Sequence, residues 1–375
     1  MREWFSKFVR GRVFAALFCI AMLGFSMYFS NRLGRLSEGF FHVNVASALF
    51  AFLATMFVYM LVYINSKRSE KKTRKLFNYC GLVVCFLPSV MLCFLAFDAV
   101  QWVFGPCGDC WYLLPLLLGI GIAGYGFVHA RKLVIKEYSF SVHGGGDGVP
   151  QAVTAVLLSD LHAGSYVGRQ QLHKMVERVN QLAPDVVFIA GDTFDHEAFG
   201  HCDMAGIHAE LQRLMPKGHI YAVLGNHDPD ASCQAARMFF ETAGIHLLVD
   251  ECVETMHFLI VGRDDIVHSP SRKSLCALLN EGNVKKPVVV IDHNPLGIEE
   301  GVEADVALLL CGHTHKGQFF PATLFTKWSY GARGFYGHFQ TGKIHSVVTS
   351  GAGYFQLPIR IGTNSEIVVM HLNLQ

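Results

Sequence analysis

Charge is scarce in this chain. Asp, Glu, Lys and Arg make up 16% of its 375 residues, and the formal net charge is only +1. A phosphate backbone is gripped by lysines and arginines in number, so this balance argues against nucleic acid as a partner. Internal repeats and low-complexity tracts are also missing, which removes repeat arrays from consideration. Metal-type cysteine spacing is absent from the C-terminal part. Cys202, Cys233, Cys252, Cys276 and Cys311 stand too far apart and read as buried small residues in a reducing compartment.

What is present is apolar and local. Hydrophobic residues make up 51% of the chain, and the long apolar runs all fall before about residue 130. Four of these runs qualify as membrane spans: Val13 to Phe29, Phe41 to Ile64, Leu76 to Phe97 and Trp111 to Ala130. Each is near the ~20 residues that cross a bilayer. A signal peptide is disfavoured for the first, because three more follow and no small-residue cleavage site is evident. Basic residues gather in the N-terminal tail (Arg2, Lys7, Arg10, Arg12), between the second and third runs (Lys67 to Lys75) and after the fourth (Arg131, Lys132, Lys136). The other two loops hold Arg32 and Arg35, or Asp98 and Asp109 without a base. Positive-inside counting then puts both termini in the cytoplasm. The expectation is a multi-pass protein of the inner or plasma membrane, with the bilayer as a partner. Few ionisable residues lie inside the runs, chiefly His42 and His129 near their ends, which gives transport little support. Cys107 and Cys110 in CGDC are open to three readings: a local disulfide, half a zinc site, or two unpaired thiols.

The expected organisation is a transmembrane region over 1–138, a Gly-rich linker over 139–151 and a globular domain over 152–375. In the domain, strand and helix signals alternate. Gln170 to Leu182, Ala205 to Leu214 and Ala231 to Ala243 read as helices, and HFLIVG, IHSVVTSG and EIVVMHL as later strands. Such alternation specifies a layered α/β domain.

Five short apolar runs in this domain each end in a metal-ligand type: TAVLLSDLH, DVVFIAGDTFD, IYAVLGNHD, PVVVIDHN and DVALLLCGHTH. Asp160, His162, Asp192, Asn226, His293, His313 and His315 are the candidate ligands. Strands that end in ligands aim them at one rim of a sheet. Carboxylate oxygen and imidazole nitrogen together suit Mn, Fe or Zn, and Mn is favoured here. Asp160 and His162, two apart, can chelate one ion, and Asp192 has two oxygens with which to bridge two. A pair of ions roughly 3.5–4 Å apart holds a hydroxide nucleophile and clamps phosphoryl oxygens. His227, adjacent to Asn226, diverges from it and is the candidate acid for a leaving alkoxide, with Asp228 to orient it. Asp195 is a candidate supporting residue beneath Asp192 or a histidine. A lone histidine is usually structural, and the other histidines of the domain are read so; the ordered set of ligands reverses that reading for the motif residues.

In order, the elements read DLH, GDTFD, GNHD, DHNP and GHTH, and they resemble the calcineurin-like metallophosphoesterase superfamily over about Val153 to Leu374. VGRDD near residue 262, GHTHKGQ, TSGAG and PIR near residue 359 resemble its membrane-associated YkuE- and YaeI-like branch. The resemblance implies a four-layer α/β/β/α sandwich, here preceded by a four-helix transmembrane region. It implies that Asp160, His162, Asp192 and His315 hold one divalent ion, that Asp192 bridges, that Asn226, His293 and His313 hold the second, and that His227 is the acid. The branch usually has glycine where Lys316 stands. This lysine is the candidate substrate-binding cation, the alternative being a side chain pointing to solvent.

An aromatic stretch from Phe319 to Phe339 follows GHTH. It reads either as an apolar rim for bilayer or acyl chain, or as packing on the domain's own sheet. The expected activity is metal-dependent hydrolysis of a phosphodiester or pyrophosphate in a lipid-linked substrate. The alternatives are a phosphomonoesterase of soluble substrates and a membrane sensor whose phosphoesterase-like domain is regulatory.

Overall fold

The computed structural model describes residues 2–65, 71–143, 151–164, 166–195, 198–281 and 286–374. It divides into two compact units, 1–125 and 126–375.

The first unit is helical. It contains α1 (Arg2–Phe41), α2 (Ala46–Asn65), α3 (Lys71–Phe104), a 3-10 turn (Asp109–Tyr112) and most of α4 (Leu113–His129). Among the described residues, Tyr79–Phe104 and Asp109–His129 are long and apolar enough to cross a membrane, and Ala46–Val62 is a shorter apolar helix. Among the charged residues expected in loops, Arg32 lies on α1 and Asp98 on α3 instead. The reason is mutual neutralisation. Asp98 Oδ2 accepts from Arg32 Nη2 at 2.6 Å and from the Tyr28 hydroxyl at 2.5 Å, and Asp98 Oδ1 accepts from Tyr112. A carboxylate satisfied in this way can sit among apolar neighbours without a loop to carry it into water. Cys107 and Cys110 are free and exposed, so no disulfide joins them.

The second unit begins with the last turn of α4. Its elements run β1 (Leu133–Val142), β2 (Gln151–Leu158), α5 (Arg169–Gln181), β3 (Val186–Ala190), α6 (Ala198–His201), α7 (Met204–Leu211), β4 (Ile220–Val223), α8 (Gln234–Thr242), β5 (His246–Leu247), β6 (Glu251–Glu254), β7 (Leu259–Gly262), α9 (Leu275–Glu281), β8 (Val288–Ile291), α10 (Ile298–Glu303), β9 (Leu308–Cys311), α11 (Ala322–Phe335), β10 (Gly337–Thr341), β11 (Ile344–Val348) and β12 (Ser365–Leu374). Two six-stranded sheets form, ordered β1-β12-β2-β3-β4-β5 and β10-β11-β9-β8-β7-β6. Both are mixed. β2 to β5 run parallel while β12 is antiparallel to β2, and β7, β8, β9 and β11 run parallel between antiparallel β6 and β10.

Buried side chains from both sheets, such as Phe188, Val223, Ile260 and Leu310, make one core between them. A second core packs the outer face of the first sheet against α5, α7 and α8, and a third packs the outer face of the second sheet against α9 and α10. These three cores define four layers. The central strands are apolar on both faces, as strands covered on both sides must be. The stretch expected as linker from residue 139 starts inside β1. Phe140 and Val142 alternate into the core between the sheets, and β1 pairs with β12 along its whole length. Residues 144–150 of that stretch lie outside the described residues.

Helix boundaries follow local chemistry. α5 buries Leu172, Met175, Val176 and Val179 at helical spacing. α8 starts later than Ala231 because Asp230 turns the chain by accepting from Ser232 N and Oγ. Asp203 caps α7 through Gly206 N at 2.9 Å. Glu210, at the end of α7, joins it to α5: it accepts from Arg169 Nε at 2.9 Å and Arg213 Nη1 at 2.8 Å, and contacts His173 Nδ1 at 3.0 Å. These partners, Arg169 first, pull its carboxyl from 4.5 to about 2. A depressed carboxyl adds stability above its unfolded pKa and loses it as pH falls through the folded value. Arg169 and Arg213 are 63% and 46% exposed, so solvent screens part of the gain. Glu210→Gln is expected to cost about 1–2 kcal/mol at pH 7. In thermal melts of the detergent-solubilised chain, the gap to wild type should close as pH drops from 4.5 towards 2. A gap that stays constant over that window would refute the ionic origin.

Candidate metal centre

The ligand-bearing residues occupy the ends of five parallel strands, three in one sheet and two in the other. Asp160 and Asp192 come two residues after β2 and β3, and Asn226 three after β4. His293 and His313 come two after β8 and β9. The two sheets are stitched at this rim. His313 N donates to both Asp160 oxygens at 3.1 Å, and His293 Nδ1 lies 2.8 Å from the carbonyl of Ala190.

All seven candidate ligands converge. Asp160, His162 and His315 have ligand atoms within 4.8 Å of one another, as do Asp160, Asp192 and His293. Asp160 is common to both groups. Asp192 Oδ2 lies 3.7 Å from His162 Nε2 and 3.3 Å from His293 Nε2, between the two sets of histidines. Asn226 Oδ1 is 2.7 Å from His313 Nδ1 and 3.2 Å from His293 Nε2. His162 Nε2 and His315 Nε2 are 3.1 Å apart. Mixed oxygen and nitrogen donors, converging from buried positions and, for Asn226 and His313, half-buried ones, fit divalent ions of the Mn, Fe and Zn type.

Burial and mutual charge dominate the electrostatics. Burial raises the Asp160 carboxyl against the pull of His293 and His162. Asp192 is also buried, but His293 and His162 override this and hold its carboxyl far below the usual range. Burial and the positive His293 push His313 down to about 3, leaving a neutral imidazole with a lone pair to give. The backbone is equally specialised. Asp160, His162, Asp192, His313 and His315 all have φ between +47° and +70°. Non-glycine residues reach this left-handed region at a cost, of order 1 kcal/mol each, and it turns each ligand sharply out of its strand.

The supporting residues differ in part from expectation. Asp195 Oδ1 lies 3.4 Å from His162 Nδ1, beneath a histidine. Asp228, the candidate for orienting His227, places its two oxygens on backbone amides, accepting from Phe194 N and Gly225 N at 2.9 Å each. Burial and the charge of Asp192 push its carboxyl up to about 7. His227 donates its backbone N–H to Asp192 Oδ1 at 2.8 Å, and its half-buried ring packs on Phe355 at 4.7 Å. Lys316 is half-buried, and its Nζ lies 4.0 Å from the centre of the Tyr336 ring. Its φ of +53° lies in the left-handed region that favours glycine.

Other contributors carried no clear sequence signal. Arg360 is fully buried and donates to the carbonyls of His315, Ser350 and Gly353, clamping the GHTH turn to the TSGAG loop. Ser159 Oγ donates to Asp160 Oδ2 at 2.7 Å. Tyr330 Oη lies 2.8 Å from His313 Nε2. Arg360 stood in the PIR feature and Ser159 beside Asp160, but neither role was readable from position alone.

A dinuclear ligand set on one rim of a four-layer sandwich defines a class of metal-dependent phosphoesterases. Residues 153–317 match the calcineurin-like phosphoesterase family model. The chain carries a calcineurin-like metallophosphoesterase domain. Among its relatives is an uncharacterized metallophosphoesterase of Helicobacter pylori, 30% identical over 231 residues, covering 60% of this chain and 61% of that one. Another is a transmembrane protein with metallophosphoesterase domain from Danio rerio, 28% identical over 278 residues, covering 68% of this chain and 61% of the relative. The Bacillus subtilis uncharacterized metallophosphoesterase YkuE is 26% identical over 275 residues, covering 68% of this chain and 93% of YkuE. The chain thus spans about three fifths of the length of the first two.

The close approach at Gly312 yields a test. A Cβ there would lie 1.8 Å from Ser159 Oγ and 2.4 Å from Asp160 Oδ2. Gly312→Ala is expected to push Asp160 off its position, weakening metal binding about 10–100-fold and costing about 1–3 kcal/mol of stability. Metal titration by calorimetry checks it; wild-type affinity in the variant would show that Asp160 is not held by this contact.

Proposed function

We propose that this chain is a membrane-anchored phosphoesterase that uses two divalent ions, Mn favoured, to hydrolyse a phosphodiester or pyrophosphate of a lipid-linked substrate. The observation that carries the reading is the pair of buried ligand groups sharing Asp160 at the strand ends. Asp160, His162, Asp192 and His315 would hold one ion, and Asn226, His293 and His313 the second, with Asp192 between them. Bound there, the ions would supply Lewis acidity towards phosphoryl oxygens and lower the pKa of a coordinated water.

The chain's own residues supply the rest. His227 stands half-buried at the edge of the ligand cluster and serves as proton donor to the departing oxygen. Asp228 holds the loop that presents it. The Phe355 ring, 5.6 Å from His162 and 6.1 Å from His315, keeps water from that side of the ligands.

Membrane anchoring is supported by the two apolar helices and by the transmembrane designation of the Danio rerio relative. On α4, Leu114, Leu117 and Leu118 are more than half exposed, which suits hydrocarbon surroundings better than water. We read all four apolar segments as spans and the domain as cytoplasmic, on the distribution of lysine and arginine. The lipid-linked substrate is supported by the stretch after GHTH, where Phe320, Leu324, Phe325 and Trp328 are 51–80% exposed on and beside α11.

Hydrolysis by the purified, Mn-loaded full chain in detergent tests the proposal, with Asp192→Asn as the blank. Lipids carrying a phosphodiester, a pyrophosphate or a monoester would be offered beside soluble bis(p-nitrophenyl) phosphate. The expected result is turnover of one lipid class that vanishes in Asp192→Asn. The double change Phe325→Ala, Trp328→Ala should lower the ratio of lipid to soluble-diester turnover about tenfold, a loss of about 1.4 kcal/mol of discrimination. An unaltered ratio would remove the apolar face from substrate binding, and turnover of monoesters alone would overturn the diester assignment.

A further inference from the structure

His313 uses both ring nitrogens. Nδ1 faces the ligand cluster, 2.7 Å from Asn226 Oδ1 and 3.2 Å from His293 Nε2. Nε2 faces away, 2.8 Å from Tyr330 Oη. A neutral imidazole that offers one nitrogen to an ion carries its proton on the other, and the group accepting that proton's hydrogen bond fixes tautomer and ring rotation together. His293 has such a partner inside the sandwich rim, its Nδ1 lying 2.8 Å from the carbonyl of Ala190, the last residue of β3, while His162 Nδ1 has the Asp195 carboxylate at 3.4 Å. His313 is held instead from α11, an element that belongs to neither sheet.

α11 is itself fastened to the turn that carries His313. Thr314 Oγ1 donates to Phe335 O at 2.7 Å, tying the end of the helix to the turn. At its start, Gly317 approaches so closely that a Cβ there would fall 2.5 Å from Thr323 Cα. Directly after Tyr330 the helix breaks at Gly331, with φ +65° and ψ −176°, a conformation open essentially to glycine. Open space surrounds that glycine, so nothing but backbone conformation demands it.

We propose that Tyr330 is a positioning residue for the second metal ion, setting the His313 ring through its hydroxyl, and that α11 is thereby a working part of the metal centre. The inference rests on the ligand assignment proposed above. In operation, Tyr330 Oη accepts from Nε2–H, and Nδ1 is left with its lone pair directed at the space shared with Asn226 and His293. Gly331 lets the chain kink within α11 while the phenol stays in place.

The test is a Mn²⁺ titration of the full-length chain in detergent, followed by electron paramagnetic resonance, which separates an isolated Mn²⁺ from a coupled pair. Tyr330→Phe keeps the ring and removes only the hydroxyl. The expected result is first-ion affinity as in wild type, second-ion affinity about 10–100-fold weaker, and hydrolysis lost at limiting Mn²⁺ but restored at excess. Gly331→Ala is the second variant. It leaves the hydroxyl in place, shifts the backbone that presents it, and should give the same selective loss. Unchanged second-ion affinity in Tyr330→Phe would overturn the proposal, and so would equal weakening of both ions, which marks a general structural role. A wild-type chain that forms the Mn²⁺ pair yet hydrolyses no phosphoester would defeat the proposed function, and the effect of Tyr330→Phe on the pair could still be read.

Discussion

Asp160 and Asp192 are 0% and 1% exposed, side by side at the mouth of the sandwich. Taking a carboxylate out of water costs several kcal/mol unless positive charge and hydrogen bonds compensate it. Here the compensation comes from histidines, from Ser159 Oγ on Asp160 and from the His227 amide on Asp192. Histidines compensate only partly, because protonation makes each an acid that can no longer give its lone pair. Divalent cations resolve that conflict: they neutralise the carboxylates while leaving the imidazoles neutral. The rest of the rim can be understood as the means of holding two anions this close.

Holding them requires two sheets rather than one. Parallel strands present their ends on one side, and each sheet contributes ligands there: Asp160, Asp192 and Asn226 from one, His293, His313 and His315 from the other. The left-handed residues at these ends are costly one by one. They persist because the strands behind them are locked into a core shared by both sheets, where Phe188, Val223, Val289 and Leu310 are fully buried. Packing energy in the strands thus sustains backbone strain at the ligands. Arg360 extends the same logic, binding three carbonyls of the loops that flank the site.

Much of this was legible in the residues, and the gaps have physical reasons. Strand ends were readable because an apolar run followed by Asp, Asn or His leaves few alternatives. β1 was not, since its Gly-rich sequel reads as linker and its pairing with β12 joins residues more than 200 positions apart in sequence. The Arg32–Asp98 pair was hidden because charges next to apolar runs look like loop charges until a partner helix is placed beside them. Lys316 was noticed as a departure from glycine, but its left-handed φ and its place over the Tyr336 ring are tertiary facts. The aromatic stretch after GHTH divides in the structure. Phe325 and Trp328 face outward, while Tyr330 and Tyr336 turn in to His313 and Glu366.

The proposed ligand assignment also makes the two ions unequal. One is surrounded by Asp160, Asp192, His162 and His315, two of them carboxylates. The other shares Asp192 but otherwise has Asn226, His293 and His313, all neutral donors. Coulombic attraction is weaker there, so affinity depends more on how well each lone pair is aimed. The well-formed hydrogen bonds behind the ligand histidines fall on this half: Ala190 O to His293 and Tyr330 Oη to His313, each at 2.8 Å. On the other half, the corresponding contact of His162 with Asp195 is a longer 3.4 Å. Orientation is supplied where charge is short, and for His313 it comes from the same helix that exposes Leu324, Phe325 and Trp328.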